Sequence, residues 1–317
     1  MGLPLVASAQ MSAYGMPSTD AFTMAVAPQY PQPYGQASLS FTSANLDLTN
    51  ATLSVSVNGK GLYSGDVRTV AVPLGAPGTP IRVLATVTEN GQTYTQTATI
   101  APQDVALVIE PESSAPPLYL GKPFIPLGGS SRLVAVANLS SASGKSIAPQ
   151  DVSYVWTVDG QQLANASGIG KDALVVSSPL EYRDRTVSVI VQSQDGAEVG
   201  GASVTLTAQN PIVRLYENDP LRGIRFGRAL SGAFSITTPE LSLYAAPFSF
   251  PTDTGAPTLS WFINGSSSQS GSTITLRPTG SGQGSANVSV TASSVSATAN
   301  TSMSLIFGSK SSSIFGL

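Results

Sequence analysis

The sequence contains no cysteine and no histidine in its 317 residues. Without cysteine the chain can form no disulfide, no thiol nucleophile and no thiolate metal site. Without histidine it lacks the commonest general base, the usual zinc ligand and the base of a Ser-His-Asp triad. An enzyme built from this sequence would have to use paired carboxylates, a Ser-Lys pair or tyrosine.

Charged residues are also scarce. They make up 10% of the chain, against roughly 25% in a typical soluble protein. The formal net charge is −3, and the 15 basic residues are scattered except for a small group formed by Arg222, Arg225 and Arg228. Nucleic-acid binding needs a basic face that displaces counterions from phosphates. We therefore predict no nucleic-acid partner.

Long apolar runs are missing as well. No stretch reaches the roughly 18 apolar residues of a transmembrane helix, so we predict no membrane span. The stretch LVASAQ (residues 5–10) contains the Ala-x-Ala signature of a signal-peptidase site. We expect residues 1–20 to be a signal-peptide remnant or flexible N-terminus, and residues 309–317 to be a flexible tail. Together with the absence of cysteine, this indicates a bacterial exported protein that is extracellular, on the cell surface or periplasmic.

One short motif occurs three times in the chain. It reads VSVNGKG, WTVDGQQ and WFINGSS, and its glycines, Gly59, Gly160 and Gly265, are spaced by 101 and 105 residues. A period of this length is too long for a solenoid repeat and fits a whole β-sandwich domain. The spacing predicts three domains, at residues 21–103, 104–209 and 210–308.

The segments that flank each motif alternate between apolar and polar residues. In residues 82–100 and 187–206 two alternating runs are joined by Asn-Gly or Asp-Gly, the strongest short signal for a β-hairpin. Residues 286–305 keep the alternation but have Ser-Ser at the turn. Helical periodicity is absent. These patterns predict an all-β fold of three tandem immunoglobulin-like β-sandwich domains that form a rod.

The repeated motif also predicts the core. Side chains alternate along a strand, so Tyr154 and Trp156 should lie on one face. A strand with a large inward side chain that ends in a tight turn is typical of the third strand of an immunoglobulin-like sandwich. We expect Trp156 and Trp261 to be buried in equivalent places. Val55 takes this position in the first repeat, where Phe41 is a candidate to fill the core.

Two linkers share a further pattern, in which an acidic residue is followed by an aromatic residue, a glycine and a basic residue. They read VALVIEPESSAPPLYLGKP (residues 105–123) and IVRLYENDPLRGIRFGRA (residues 212–229). With these repeats and linkers the chain resembles the tandem immunoglobulin-like or PKD-like repeats of bacterial surface proteins. It is most similar to uncharacterised exported proteins of small-genome uncultivated bacteria. For function, the resemblance implies no more than surface display or adhesion, because the same fold supports many different roles.

Two classes of function follow from these observations. The first is a non-enzymatic structural or adhesive rod that spaces its modules from a cell surface or binds a protein or surface-glycan partner. The alternative is a carboxylate-based glycan-active enzyme, which needs two acids at a set separation in one cleft, or a glycan-binding protein. The acidic residues are concentrated at junctions and turns rather than around one cleft, which favours the first class.

Two pairs of acidic residues occupy matching places in the linkers. They are Glu110 with Glu112, and Glu217 with Asp219. Acids at i and i+2 of an extended segment share one face, which brings like charges together unless something neutralises them. A calcium ion with six to eight oxygen ligands would do so, and it is the one cofactor that we consider. The neighbouring Lys122 and Arg222 could instead supply the counter-charge, and two carboxylates without EF-hand spacing favour such ion pairing over calcium.

Overall fold

Strands account for nearly all of the regular structure, as the alternation of the sequence predicts. The computed structural model describes residues 21–279 and 283–308. Within that range the helical structure is a single 3-10 turn, Pro149–Asp151. No helix in the described part of the chain is long and apolar enough to cross a membrane. The all-β prediction is confirmed.

The first sandwich consists of seven strands in two antiparallel sheets. The three-stranded sheet has the order β1-β2-β5, and the four-stranded sheet has the order β4-β3-β6-β7. The strands are β1 Thr23–Ala27, β2 Gln36–Thr42, β3 Thr52–Val57, β4 Lys60–Asp66, β5 Val70–Pro73, β6 Ile81–Glu89 and β7 Gln92–Ile100. Both sheets contribute to one core, which includes Leu39 and Val72 from the first and Val55 and Val83 from the second.

The large aromatic residue in this core is Phe22, which precedes β1 and is 2% exposed. Phe41, the candidate from the sequence, is only half-buried and packs against the same core. The two ring centroids lie 6.3 Å apart. Phe22 thus supplies much of the aromatic volume that the other sandwiches obtain from tryptophan.

The second sandwich has a three-stranded sheet of order β13-β9-β8 and a second sheet of order β11-β10-β14-β15, in which β12 also pairs with β10. Its strands are β8 Asp104–Pro111, β9 Ser130–Asn138, β10 Ser153–Val158, β11 Gln161–Gln162, β12 Gly168–Ile169, β13 Ala173–Ser177, β14 Arg185–Gln192 and β15 Val199–Leu206. The inward residues of β10, Tyr154 and Trp156, are fully buried.

The third sandwich has sheets of order β17-β16-β19-β22 and β18-β24-β23-β20-β21. Its strands are β16 Ile212–Asp219, β17 Gly223–Ile224, β18 Gly232–Ile236, β19 Leu241–Phe248, β20 Thr258–Ile263, β21 Ser266–Ser270, β22 Thr273–Leu276, β23 Gly284–Ser293 and β24 Thr298–Phe307. Leu215 and Leu243 from one sheet and Trp261 and Val290 from the other belong to one core. Unlike the other strand pairs of this sandwich, β18 and β24 run parallel.

The repeated Asn/Asp-Gly pair forms the same turn in each sandwich. Both residues have positive φ angles, 49° and 79° at Asn58 and Gly59, for example. Two adjacent positive φ angles define the type I′ turn, whose twist matches that of the flanking strands. Asp159-Gly160 and Asn264-Gly265 have nearly the same angles.

The first residue of each turn also bonds to a neighbouring strand. The Asn58 N–H donates to the Arg82 carbonyl at 2.8 Å, and the Asn58 Oδ1 accepts the Arg82 N–H at 2.9 Å. Asp159 makes the same two bonds with Thr186, and Asn264 makes them with Asn287. An Asn or Asp is required because only a short side chain with an acceptor oxygen can both adopt this turn and make the second bond. These two hydrogen bonds, together with the turn, explain why an Asn/Asp-Gly pair recurs in all three copies of the motif.

The described residues fall into two compact units. One contains the described residues up to 108 together with 133–174 and 186–204, and the other contains 109–132, 175–185 and the described residues from 205 onward. The strands of the second sandwich are therefore shared between the units. The three-domain division of the sequence, with boundaries near 103 and 209, stays a prediction.

Candidate functional site

In the first predicted acid pair each carboxylate has its own partner. Glu110 forms an ion pair with Arg132 of β9, with 2.9 Å between Oε2 and Nη1. Glu112 accepts a hydrogen bond from the Ser130 hydroxyl at 2.7 Å. The Glu110 and Arg132 side chains are each about half exposed, so the pair contributes at most about 1 kcal/mol. The counter-charge comes from Arg132 rather than from Lys122.

The second acid pair is arranged in the same way. Glu217 forms an ion pair with Arg225, with 3.1 Å between Oε2 and Nη1. Asp219 Oδ1 accepts the backbone N–H groups of Leu221, at 2.8 Å, and Arg222, at 3.1 Å. These hydrogen bonds, that from Leu221 first, lower the pKa of the Asp219 carboxyl. Asp219 thus stabilises the turn between β16 and β17.

These contacts bear directly on calcium. Within residues 21–279 and 283–308, no three side chains of Asp, Glu, His or Cys come together in an arrangement that could hold a metal ion. Calcium takes six to eight oxygen ligands, so most would have to be carbonyls and waters. Calcium binding by Glu110, Glu112, Glu217 and Asp219 stays a prediction, and the partners of these acids favour ion pairing and turn capping.

The three core positions of the repeat lie at the same place in β3, β10 and β20. Val55, Trp156 and Trp261 are each fully buried. The Trp156 indole N–H donates to the Lys171 carbonyl at 2.9 Å, and that of Trp261 donates to the Gly271 carbonyl at 2.8 Å. Each acceptor lies two residues before a strand of the opposite sheet, β13 or β22. Each indole therefore connects the two sheets of its sandwich, whereas valine offers no such bond.

An aromatic cluster lies on the outer face of the β16-β19 pair. Phe226 is at its centre, with ring centroids 5.2 Å from Tyr216, 5.9 Å from Tyr119 and 6.2 Å from Tyr244. Tyr119 also lies 5.1 Å from Phe248. The rings meet edge to face, the favoured geometry of aromatic pairs. Burial raises the pKa of the Tyr216 and Tyr244 hydroxyls.

The cluster joins the two linkers that the sequence pattern singled out. Tyr119 is the aromatic residue of the first linker and Phe226 is that of the second. The two related residues therefore contact each other. We use the name second junction for three features together: residues 112–127, the aromatic cluster, and the contacts between them.

Backbone hydrogen bonds fasten the second junction. The Ser114 N–H donates to the Phe250 carbonyl at 2.8 Å, and the Ser249 N–H donates to the Ser114 carbonyl at 3.2 Å. The Ser114 hydroxyl also accepts the Phe250 N–H at 3.0 Å. Further along, the Gln209 N–H donates to the Ile125 carbonyl at 2.8 Å. The segment 112–127 is thus bonded to the chain on both sides of residue 210.

A first junction lies where residue 103 leads into β8. The Gln103 side chain is 3% exposed and makes two bonds to Ser140: its Nε2 donates to the carbonyl, and its Oε1 accepts the N–H, both at 2.9 Å. The Gly78 N–H donates to the Pro102 carbonyl at 2.8 Å. A Cβ on Gly78 would overlap the carbonyl oxygens of Ser140 and Ser141. Close approach requires glycine at this position.

An aromatic residue also takes part in the first junction. A Cβ on Gly201 of β15 would lie 2.6 Å from the Tyr30 ring, so the ring packs directly on this glycine. The Gln32 amide donates to the Val105 carbonyl at 3.0 Å. Burial raises the pKa of the Tyr30 hydroxyl. Tyr30 and Tyr119 both follow the first strand of a sandwich, and both pack on strands of the next.

A small cavity of about 180 Å³ lies in the second unit, beside Leu180 and Tyr182. Ligand-binding pockets usually measure roughly 300–1,000 Å³. Two acids, Glu181 and Asp184, line the cavity, but both are exposed to solvent. A catalytic general acid is typically enclosed by apolar surroundings. The cavity therefore does not support the carboxylate-enzyme alternative.

No protein-family model and no curated protein matches the chain. Among solved structures, the central fibronectin-III array of RIM-binding protein is 11% identical, covers 90% of this chain and 96% of its own, and has a TM-score of 0.30. Three N-terminal domains of the highly immunogenic outer capsid protein of bacteriophage RB49 are 9% identical. The match covers 90% of this chain and 99% of that one, with a TM-score of 0.26.

SGBP-B of the Bacteroides ovatus mixed-linkage glucan utilisation locus, solved with a mixed-linkage heptasaccharide, is 14% identical. The match covers 92% of this chain and 71% of that one, with a TM-score of 0.23. We draw no conclusion from similarities at these scores. The fold follows from the strand pairing itself.

Sequence reasoning missed the residues that hold the junctions. The linker pattern pointed to Tyr119 and Phe226, but only as a family signature. Nothing in the sequence distinguishes Gln103 or Ser114 from the many other glutamines and serines, because their partners are distant in the chain.

Proposed function

We propose that the chain is an exported, non-enzymatic array of β-sandwich modules that holds its modules at fixed junctions on a cell surface, for spacing or for binding a protein or glycan partner. The observation that supports this proposal is that residues 112–127 are hydrogen-bonded near both ends and packed through Tyr119 instead of forming a free linker.

A free linker and a fastened one have different consequences. Linkers rich in glycine and serine behave as random coils, so the modules that they join move independently. Here Ser114 makes three hydrogen bonds to the segment after β19, and Tyr119 packs on two other rings. The first junction adds the two bonds of the buried Gln103 side chain. Such contacts suit a protein whose role depends on the spacing of its modules.

The enzyme alternative receives no comparable support. The acids of the linkers are engaged with Arg132, Ser130, Arg225 and backbone N–H groups. The acids at the small cavity are exposed. Export is supported by the cysteine-free and weakly charged composition, which suits a bacterial surface protein.

Hydrogen exchange tests the fastened junctions. In the full chain we expect slow exchange at the amides of Ser114, Leu127 and Gln209, and fast exchange at the exposed amide of Tyr182. Fast exchange at all three junction amides would contradict the proposal. A second assay measures the release of reducing ends from soluble polysaccharides. We expect the protein to release no more than a boiled sample of the same protein. Release that depends on Glu181 or Asp184 would establish the enzyme alternative instead.

A further inference from the structure

The last strand of each sandwich differs in how its outer edge is covered. In the third sandwich β18 pairs in parallel with β24, from Gly232 opposite Met303 to Ile236 opposite Phe307. In the second, the covering bonds lie beyond the end of β15, where Gln209 bonds to Ile125 and Leu127. In the first, β7 pairs with β6. Among the described residues, no backbone group outside β6 bonds to the backbone of β7, although the Gln96 side-chain amide donates to the Phe22 carbonyl at 3.2 Å.

The difference follows from the length of one connection. Between β16 and β19 the chain has room for two additional strands, and one of them, β18, returns to cover β24. Between β1 and β2 only residues 28–35 are available. This connection carries Tyr30 to the first junction and cannot also supply a covering strand.

The free backbone groups of β7 can be assigned from its register. Asn90 and Gly91 form a two-residue type I′ turn, with φ angles of 50° and 80°, and Glu89 pairs with Gln92. In such a hairpin the residues that flank the turn exchange both hydrogen bonds, and bonded pairs then alternate with unbonded ones. The N–H and C=O groups that point away from β6 therefore belong to four threonines, which are Thr93, Thr95, Thr97 and Thr99.

The β7 edge lacks the features that protect other edges. Charged residues, prolines, bulges and short strands discourage pairing between chains. The opposite edge strand, β4, begins and ends with the charged residues Lys60 and Asp66, and its pairing with β3 contains a register shift. The edge strand β8 contains Asp104, Glu110 and Pro111. In contrast, β7 is nine residues long, uncharged and free of proline, and its pairing with β6 has no shift.

The sequence of β7, QTYTQTATI, is complementary to itself. If two copies pair antiparallel about Gln96, Thr93 lies opposite Thr99 of the other copy, and Thr95 lies opposite Thr97. Every hydrogen-bonded pair then consists of two threonines, a favourable cross-strand pair. On the opposite face the large Tyr94 meets the small Ala98, and no like charges come together.

We propose that β7 is a self-recognition edge, at which two copies of this chain pair antiparallel about Gln96 to join their four-stranded sheets across a two-fold axis. Such an interface is closed, because each copy offers the same surface. It therefore yields a dimer in which each copy of β7 covers the other.

Analytical ultracentrifugation of the full chain tests the dimer. We expect a reversible monomer–dimer equilibrium in the micromolar range. The double variant Thr95→Lys/Thr97→Lys places lysine opposite lysine at the edge and should weaken the dimer at least about tenfold. The control Ser302→Lys/Ser304→Lys adds the same two charges to exposed positions of β24, whose edge is covered, and should dimerise like the unaltered chain.

A cross-linking experiment tests the register. In this pairing Gln96 lies opposite its own copy in an unbonded pair, where Cα atoms are about 4.5 Å apart, close enough for a disulfide. Because the chain has no other cysteine, Gln96→Cys should give a covalent dimer on mild oxidation. Thr99→Cys, far from its own copy, should not.

Four results would overturn the proposal. If the chain stays monomeric and the amides of Thr93 and Thr95 exchange their hydrogens rapidly, this edge has no partner. A monomer with these amides protected has the edge covered by another part of the same chain. A dimer that is insensitive to Thr95→Lys/Thr97→Lys uses a different surface. A dimer that Gln96→Cys does not cross-link has a different arrangement of strands.

Discussion

The two junctions join sandwiches of the same architecture by different chemistry. The first depends on close approach at Gly78 and Gly201 and on the amide of Gln103. The second depends on the backbone clamp at Ser114 and on a cluster of aromatic rings around Phe226. Both contain an aromatic residue that follows the first strand of one sandwich and packs on the next. The connection after the first strand therefore contributes an aromatic contact to each junction, while the surrounding contacts differ.

The two units can be followed separately, which makes the comparison testable. Trp156 lies in the first unit and Trp261 in the second. A Trp261→Phe background leaves Trp156 as a reporter of the first unit, and Trp156→Phe leaves Trp261 as a reporter of the second. The free energies of unfolding below are measured by urea denaturation in the appropriate background.

The largest effect is expected from Gly78→Ala at the first junction. Overpacking costs roughly 1–3 kcal/mol, and a residue with a Cβ in a left-handed conformation costs about 1–2 kcal/mol more. Gly78 has a φ of 73° and backbone oxygens in the place of its Cβ, so we expect a loss of about 2–5 kcal/mol. Gly91→Ala is the control, since Gly91 has a φ of 80° but nothing within 4 Å. Equal losses in both variants would mean that close packing plays no part at Gly78.

Tyr119→Ala should have the next largest effect, in the second unit. Each of its two aromatic contacts is worth about 0.5–1.5 kcal/mol beyond the burial of the ring, so we expect a loss of about 2–3 kcal/mol. Tyr182→Ala is the matched control, because Tyr182 is 97% exposed in the same unit. If the two variants were equally stable, the cluster would not hold the second junction.

Gln103→Ala removes both bonds to Ser140. Leaving buried backbone groups without partners costs about 1–3 kcal/mol, so we expect a loss of about 2 kcal/mol in the first unit. Gln161→Ala is the control, because Gln161 is exposed in the same unit. A Gln103→Ala variant as stable as its control would indicate that the contact of Gly78 suffices.

The smallest effects are expected from the ion pairs. Arg132→Gln and Arg225→Gln should each cost less than about 1 kcal/mol, because exposed pairs contribute little. Given the partners of the four acids, we expect millimolar calcium to leave the melting temperature and the heat of titration unchanged. A calcium-dependent rise in melting temperature that is lost in Glu110→Gln/Glu112→Gln would instead establish a calcium site.

Local features of the fold could be predicted from the sequence because they depend on neighbours in the chain. Alternation placed the strands, and the Asn/Asp-Gly pairs predicted their turns. The burial of Trp156 and Trp261 follows from the same alternation, because it sets which face of a strand turns inward.

Contacts between distant residues could not be predicted. The sequence offers Lys122 as one possible counter-charge for the first acid pair, but the neighbouring strand β9 supplies Arg132 to Glu110. Phe22 fills the first core because the start of β1 packs there, which no local pattern reveals. Tyr119 meets Phe226 only because two linkers that are far apart in sequence lie on the same sheet face.

Distances between spin labels test whether each junction is fixed. Because the chain has no cysteine, labels can be placed at Ser64→Cys with Ala164→Cys across the first junction, and at Val175→Cys with Ser267→Cys across the second. Each pair lies within one compact unit. We predict one narrow distance distribution for each pair, which Gly78→Ala broadens only in the first unit and Tyr119→Ala only in the second. Broad distributions in the otherwise unaltered chain would show that the sandwiches are joined by free linkers and would contradict the account.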